Sequence, residues 1–371
     1  MMYPDHKTQR YQKQIFLKEL GEQGQQLLSR GSVLVVGAGG LGCPALQYLA
    51  VAGVGRIGIV DFDVVDESNL HRQVLYTMED IGKLKAKVAE IRIKALNPEV
   101  EVEIFCEKIG PENALSILSR FDLVLDGSDN FPTRYLINDA CVLLNKPLIY
   151  GSVFRFEGQL SVFNLPDQGV KTNYRDLFPE PPDPSEVVGC NEAGVLGVLP
   201  GIIGTMQATE AIKIITGAGK PLANRLLCYN ALNNFVYELE ISPLESSGLQ
   251  IPQTAEDFQK MNYEWFCNRL VSEYKDIDGA AFDQLRSSQT TQIIDVRNLH
   301  ETPRVTEFEH LRIPLSELGE NLHQIDPARP LVIFCQTGVR SIMAAHLITE
   351  KIGVRTVYNL KGGIIKWKTQ R

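Results

Sequence analysis

The sequence has no Cys-x-x-Cys pair anywhere, and that absence removes the usual scaffold of a structural zinc site. Its seven cysteines, Cys43, Cys106, Cys141, Cys190, Cys228, Cys267 and Cys335, are scattered and odd in number. A chain of this size with that pattern is not a disulfide framework. There is no basic excess either. The 37 Lys and Arg stand against 45 Asp and Glu, a formal charge of -8, which argues against nucleic acid as a partner because charge-driven binding needs a basic footprint. No apolar stretch is long and unbroken enough to cross a membrane, and the polar start from Met1 to Arg10 lacks the apolar core of a signal peptide. Internal repeats and low-complexity tracts are missing as well. These absences leave an ordinary globular composition, expected in a reducing cytoplasm, where cysteine is either buried or chemically employed.

What is present is length and rhythm. At 371 residues the chain suits two domains of roughly 100–200 residues each. Short apolar runs at Ser32–Val36, Arg56–Val60, Val100–Phe105 and Leu123–Asp126 read as strands. Helical spacing over Pro44–Ala52, Lys83–Leu96 and Ala114–Leu118 separates them, after one or two helices between Arg10 and Leu28. Strands alternating with helices imply an α/β fold with a parallel sheet. Leu165 to Asp183, rich in proline, reads as a crossover loop. Val198–Thr216 is an apolar helix, and Arg225–Tyr229 and Phe235–Glu240 close the first domain. The boundaries expected are 1–242, a linker over 243–273 with a helix from Glu256, and a smaller α/β domain over 274–371. In the last, Gln292–Val296, Leu331–Phe334 and Thr356–Tyr358 are strands and Ser341–Lys351 a helix.

The run Val33-Leu34-Val35-Val36-Gly37-Ala38-Gly39-Gly40-Leu41-Gly42 is strand, Gly-x-Gly-x-x-Gly and helix. Its glycines allow a tight turn and close backbone approach to phosphate at a helix N-terminus, and Asp61 ends the next strand where an acid would grip a ribose hydroxyl. The plain expectation is an NAD-dependent oxidoreductase. The residues beyond Asp61 argue against hydride chemistry. Arg72, Lys83 and Lys85 supply a cationic clamp that a nicotinamide does not need and a triphosphate under cleavage does. Asp129, just past the strand ending at Asp126, suits magnesium, which prefers carboxylate and phosphate oxygens.

The residues Arg10-Tyr11-x-x-Gln14, Gly37–Gly42, Asp61-Phe62-Asp63, Ser68–Gln73, Gly82-Lys83-x-Lys85, Asp126–Asn130 and Cys190–Val195 resemble the MoeB/ThiF/HesA family, bacterial relatives of ubiquitin-activating enzymes. The resemblance covers about the first 240 residues. It implies ATP-dependent adenylation of the C-terminal carboxylate of a ubiquitin-like protein ending in Gly-Gly. It also implies that Gly40, Asp61, Asp63, Asn69, Arg72, Lys85, Asp129 and Asn130 hold ATP and magnesium, with Arg72 and Lys85 on the α-phosphate. Gly37, Gly39 and Gly42 would complete the phosphate loop. A homodimer is implied, in which Arg10 and Lys13 reach the partner's nucleotide; Lys13 stands where Arg is commoner and lacks its bidentate fork. The family's zinc-binding cysteine pairs are missing both before Leu177-Phe178-Pro179 and near Pro243–Gly248, so no zinc is expected.

In the second domain, Val332-Ile333-Phe334-Cys335-Gln336-Thr337-Gly338-Val339-Arg340-Ser341 is strand, cysteine, loop and helix. Backbone N–H groups converging on Cys335, with Arg340 as a nearby cation, would stabilise a thiolate or persulfide. Together with Asp295-Val296-Arg297 and Leu360-Lys361-Gly362-Gly363-Ile364-x-x-Trp367, this segment resembles a rhodanese domain, which implies that Cys335 carries a persulfide taken from a donor such as a cysteine desulfurase. The fold class is then α/β: a Rossmann-like mixed or parallel sheet in the adenylation domain, followed by a smaller α/β rhodanese domain. Cys190 has two open readings, a covalent link to the carrier or a dispensable thiol. The other five cysteines read as structural, and His71 receives no role.

Adenylation makes a carboxylate electrophilic, and a persulfide is a good nucleophile. One chain with both chemistries points to an adenylyltransferase and sulfurtransferase that forms a thiocarboxylate on a sulfur carrier for molybdopterin or thiamine synthesis. The alternatives are a non-catalytic scaffold that docks the carrier and, further off, the oxidoreductase.

Overall fold

The computed structural model describes residues 6–181, 194–244, 247, 251–263, 274–288, 290–298, 301–336, 338–352, 354 and 356–369. Cys190, Cys267 and Thr337 lie outside them. The chain divides into two units, with the boundary between residues 263 and 264.

The first unit opens with helices α1 (His6–Ile15) and α2 (Gly21–Arg30). It continues through β1 (Ser32–Val36), α3 (Gly42–Ala52), β2 (Arg56–Val60), α4 (Lys85–Leu96), β3 (Glu101–Phe105), α5 (Ala114–Leu118), β4 (Leu123–Asp126) and α6 (Phe131–Leu143). There follow β5 (Leu148–Phe154), β6 (Glu157–Phe163), the short α7 (Tyr174–Leu177), α8 (Val198–Thr216), β7 (Arg225–Asn230), β8 (Phe235–Glu240) and α9 (Ala255–Lys260). One eight-stranded sheet runs in the order β3-β2-β1-β4-β5-β6-β7-β8. Its first five strands are parallel, and β5 through β8 pair antiparallel. The sheet is therefore mixed. Val33 to Val36 are buried from both sides, and each such apolar side chain contributes about 1.5–3 kcal/mol. That burial explains why β1 is apolar without alternation.

The register places Val36 beside Val60 and Asp126, so three strands end at one edge. The chain leaves β1 toward β2 on one side and β4 on the other, the point where an open sheet forms a crevice. Above it α8 packs on α3. Its Gly204 comes so near Leu41 that a Cβ would fall 2.2 Å from the Leu41 carbonyl oxygen.

Two differences from the sequence reading have physical causes. The strands β5 and β6 and helix α6 escape it, and in α6 and β6 the buried faces carry polar residues: Arg134, Asn138, Asp139 and Ser161 are all buried. The compositional linker is also not free chain at its start. Ile251, Phe258 and Tyr263 are buried, and α9 ends at Lys260, with Thr254 as its N-cap accepting from the Asp257 N–H at 3.1 Å.

The second unit contains β9 (Tyr274–Ile277), α10 (Gly279–Arg286), β10 (Gln292–Asp295), β11 (Leu311–Arg312), β12 (Leu331–Phe334), α11 (Val339–Ile352), β13 (Val357–Leu360) and α12 (Gly363–Thr369). Its five-stranded sheet, in the order β11-β10-β12-β13-β9, is parallel throughout. Leu331 and Ile333 pack with Ala344 and Ile348 of α11 on one face. Val332 and Phe334 pack with Phe282 of α10 and Trp367 of α12 on the other. A strand covered on both faces reads as a continuous apolar run.

Candidate active site

A cavity of about 620 Å³ opens where β1, β2 and β4 end. Two glycines of the turn beneath it are demanded by the chain itself. Gly37 has φ +92°, and a Cβ there would lie 2.7 Å from the Gly127 carbonyl oxygen; at Gly42 it would lie 1.9 Å from that of Gly37. Gly39 differs, because its Cβ would meet only Gln73 Nε2, at 3.7 Å. Packing does not require a glycine there, and the space that a side chain would fill belongs to the cavity.

Asp61, read as a ribose ligand, is first a brace for the loop. Its Oδ2 accepts from the Ala38 N–H and its Oδ1 from the Asp63 N–H, each at 2.8 Å. Burial pushes its carboxyl above the ordinary range. Tyr76 donates to the Ala38 carbonyl at 2.8 Å from the other side. Lys85 reaches the cavity from the first turn of α4 with its stem buried, and Nζ sits 3.1 Å from Asp63 Oδ2. Arg72 also lines the cavity. Its Nη1 lies 3.2 Å from the Ser68 carbonyl oxygen and 2.7 Å from His71 Nε2. His71, given no role by the sequence, therefore sits directly on the guanidinium.

Past β4, Asp126 is buried, and its Oδ1 accepts from the Ser128 N–H at 2.9 Å and the Ser128 hydroxyl at 2.6 Å. Burial raises its carboxyl. That turn delivers Asp129 and Asn130, both exposed, to the rim. Asn130 is also the N-cap of α6, accepting from the Thr133 N–H at 3.0 Å. Arg134 stands behind, donating to the Ser128 carbonyl at 3.3 Å, with its guanidinium over the Tyr150 ring.

The cavity thus gathers Gly37, Gly39, Gly40, Asp61, Asp63, Asn69, Arg72, Lys85, Asp129 and Asn130. It does not include Gly42, which sits behind the turn, or Arg10 and Lys13, which are exposed on α1. The sequence assigns no role to three further lining residues, Gln73, Ser128 and Arg134. Gln73 is buried, and among the described residues its Oε1 has no hydrogen-bond partner. Its only sequence signal is membership of the run Ser68–Gln73. Among the described residues no three His, Cys, Asp or Glu side chains stand together as a metal cage.

The segments before Leu177 and beyond β8 are bridged by a carboxylate. Asp176 of α7 accepts at Oδ1 from the Leu244 N–H at 2.8 Å and from the Ser247 hydroxyl at 2.5 Å. Beside it the buried Arg175 forks onto Asp139, Nε to Oδ1 at 2.8 Å and Nη2 to Oδ2 at 2.7 Å, and Tyr263 donates to the same carboxylate at 2.9 Å.

In the second unit Cys335 follows β12 and is fully buried. The Gly338 N–H points at its sulfur at 3.1 Å, and Gly338 has φ +97°, the left-handed turn that aims this amide inward. Ser341 Oγ lies 3.4 Å from the sulfur and 2.6 Å from Asn359 Oδ1, while Asn359 donates to Asp276 at 2.8 Å. The motif after β13 is tied to the loop, since the Ile364 N–H donates to the Cys335 carbonyl at 2.9 Å. Arg340, the nearby cation, is itself paired. Its two terminal nitrogens fork onto Glu301 at 2.5 and 2.6 Å.

Residues 11–249 match the ThiF family and residues 279–370 the rhodanese-like domain. Over 97% of its length the chain is 43% identical to a "Probable adenylyltransferase/sulfurtransferase MoeZ" of Mycobacterium tuberculosis, covering 93% of that protein. Over 62% of its length it is 55% identical to the "Sulfur carrier protein adenylyltransferase" of Thermus thermophilus, covering 86% of it. It is 38% identical to the "Adenylyltransferase and sulfurtransferase MOCS3" of Drosophila sechellia, over 96% of this chain and 82% of that one. Among solved structures, PaaA aligns with a TM-score of 0.56 at 24% identity over 65% of this chain and 76% of its own. E. coli MccB aligns at 0.56 and 21%, over 65% and 72%. Both show the fold alone.

Proposed function

The chain belongs to the ThiF family and carries a rhodanese-like domain behind it, and from that premise we propose how its two sites act in sequence. It is an adenylyltransferase with sulfurtransferase activity that works on sulfur-carrier proteins. The observation that carries this reading is the single cavity in which the Gly37–Gly40 loop, Arg72, Lys85 and Asp129 meet.

The carrier's C-terminal glycine carboxylate attacks the α-phosphorus of ATP, and pyrophosphate leaves. A carboxylate needs no base, so the protein's work is positioning and charge stabilisation. Arg72 and Lys85 hold the charge that builds on the α-phosphate, and Lys85 exchanges Asp63 for phosphate oxygen as ATP enters. The open space at Gly39 lets the backbone approach the phosphates. Gln73 offers its unpartnered Oε1 to a donor on the ligand. Asp129 and Asp63 fit magnesium, which takes one or two protein carboxylates and completes its shell with phosphate and water. Such an ion would neutralise the leaving pyrophosphate.

The adenylated glycine is then attacked by the Cys335 persulfide, with AMP leaving; a second thiol attacks the Cys335 sulfur of the acyl disulfide, the thiocarboxylate leaves, and the disulfide left between that thiol and Cys335 is reduced by a cellular thiol. Cys190, outside the described residues, is the candidate for that thiol. The persulfide comes from a donor such as a cysteine desulfurase. The enzyme works as a cytoplasmic homodimer, Arg10 and Lys13 reaching the partner's nucleotide, and supplies molybdopterin or thiamine synthesis.

The test is ATP–pyrophosphate exchange with a Gly-Gly carrier. Exchange should depend on the carrier and survive Cys335→Ala, while that variant forms no thiocarboxylate by mass spectrometry. Absence of carrier-dependent exchange would refute the first half; thiocarboxylate formation by Cys335→Ala would refute the second.

A further inference from the structure

A guanidinium five residues after a nucleophilic cysteine would by itself make the loop an anion site. Around Cys335 that charge is cancelled. Arg340 places both terminal nitrogens on Glu301, Nη1 on Oε1 at 2.5 Å and Nη2 on Oε2 at 2.6 Å. Glu301 is itself fixed, because its Oε1 accepts from the Asn298 N–H at 2.9 Å. The next guanidinium, Arg297, is engaged by the buried Asp295, with Nε at 2.9 Å and Nη2 at 2.7 Å, and by the Pro303 carbonyl at 2.9 Å. A third carboxylate, Asp276, stands behind Asn359 in the chain that ends at Ser341 and the sulfur. The Arg340 hydrogen bonds hold the Glu301 carboxyl down at about 2, so Glu301 is charged at any working pH.

We propose that Glu301 sets the class of sulfur donor: by cancelling Arg340 it disfavours small dianionic donors, of which thiosulfate is the type, and leaves Cys335 open to persulfides. This rests on the reading of Cys335 as the sulfur-carrying residue. Glu301 acts through Arg340, as a specificity-determining residue that does not touch the reacting atoms. The two transfers differ in the charge the loop must accept. With thiosulfate, the Cys335 thiolate attacks the outer sulfur, a new S–S bond forms, the old one breaks, and its electron pair leaves on sulfite, a dianion. With a persulfide R–S–SH, the thiolate attacks the terminal sulfur, the donor's S–S bond breaks, its pair leaves as the single thiolate R–S⁻, and the proton stays on the sulfur now bound to Cys335. No external oxidant or reductant enters either step. A loop whose guanidinium is already paired gains little from a second negative charge, while the Gly338 N–H at 3.1 Å is enough to orient a monoanionic exchange.

The test uses the full chain and its Glu301→Gln variant, with thiosulfate and the persulfide of N-acetylcysteamine as donors and cyanide as acceptor. Glutamine keeps the shape and one hydrogen bond to Arg340 but frees its charge. The kcat/KM for thiosulfate should rise about tenfold, and that for the persulfide less than about twofold. An unchanged ratio between the donors, with persulfide turnover intact, overturns the role of Glu301 alone. No turnover with either donor in either protein overturns it together with the sulfur-transfer reading. A second measurement needs no variant. In the unaltered protein both donors should show the same weak salt dependence between about 20 and 200 mM. A steep fall for thiosulfate alone would mean that Arg340 already acts on the anion, against the proposal.

Discussion

The two sites of this chain treat charge in opposite ways. At the cavity, groups are held ready but not fully engaged: Gln73 keeps a buried oxygen without a partner, Asp129 is exposed, and Lys85 rests on the half-exposed Asp63. Around Cys335 each of the guanidinium groups of Arg297 and Arg340 already has its carboxylate, and the sulfur itself is fully buried. The difference reflects what each site is proposed to handle. A triphosphate brings several charges that must be met by groups able to change partners. A single sulfur atom needs only a protected thiol and a directed amide. The same contrast runs inside the first unit, where the segments far from the cavity are tied by fully engaged pairs. Within the first unit an engaged pair should therefore govern stability, and a group held ready should govern rate.

The engaged pair with most at stake is Arg175 and Asp139, both fully buried. Asp139→Asn removes the charge that Arg175 needs and should destabilise the first unit by about 3–5 kcal/mol in urea titration. Pyrophosphate exchange by the fraction that stays folded should be unaltered. A loss under about 1 kcal/mol would show that the pair is not what holds this region, and the contrast would fail there.

Lys85→Met is the converse experiment. Exchange should fall about 10²–10³-fold, the range for removing one group that stabilises transition-state charge, with melting temperature and Cys335 alkylation close to those of the parent. If instead the melting temperature drops and exchange persists, Lys85 is a structural partner of Asp63 and the cavity holds its charges no differently from the sulfur loop.

How far these assignments are legible depends on sequence distance. The strands β1, β2, β4 and β12 show as apolar runs beside glycine or a turn, because burial on both faces writes itself locally. The phosphate loop, Asp61, Arg72, Lys85 and Asp129 carry local signatures too, and the fold brings them to one cavity. Pairings across long separations do not show. Arg175 meets Asp139 across 36 residues, and Tyr263 meets the same carboxylate across 124. Glu301 meets Arg340 across 39. Nothing in the neighbourhood of any of these residues names its partner. Helix α6 is hidden for the same reason, since Arg134, Asn138 and Asp139 read as surface until their partners are seen. Gln73 is a different case: an uncharged side chain gives no clue to a role until its burial beside the cavity is known.

The smallest expected effect probes the join of residues 173–176 to Leu244 and Ser247, where Asp176 bridges α7 to the chain beyond β8. A structural metal at such a join would be lost on chelation. Among the described residues the bridge is two hydrogen bonds to one carboxylate oxygen. Ser247→Ala deletes the shorter and leaves the Leu244 N–H in place, so Asp176 keeps a partner. The loss should be about 1.5–3 kcal/mol, the worth of a hydrogen bond to a charged group, read as a lower denaturation midpoint with unchanged slope. Because the bond is protein to protein, EDTA should shift neither the parent nor the variant. A midpoint that falls with EDTA in the parent would show that a metal shares the task, and the carboxylate bridge would then be an accessory to it.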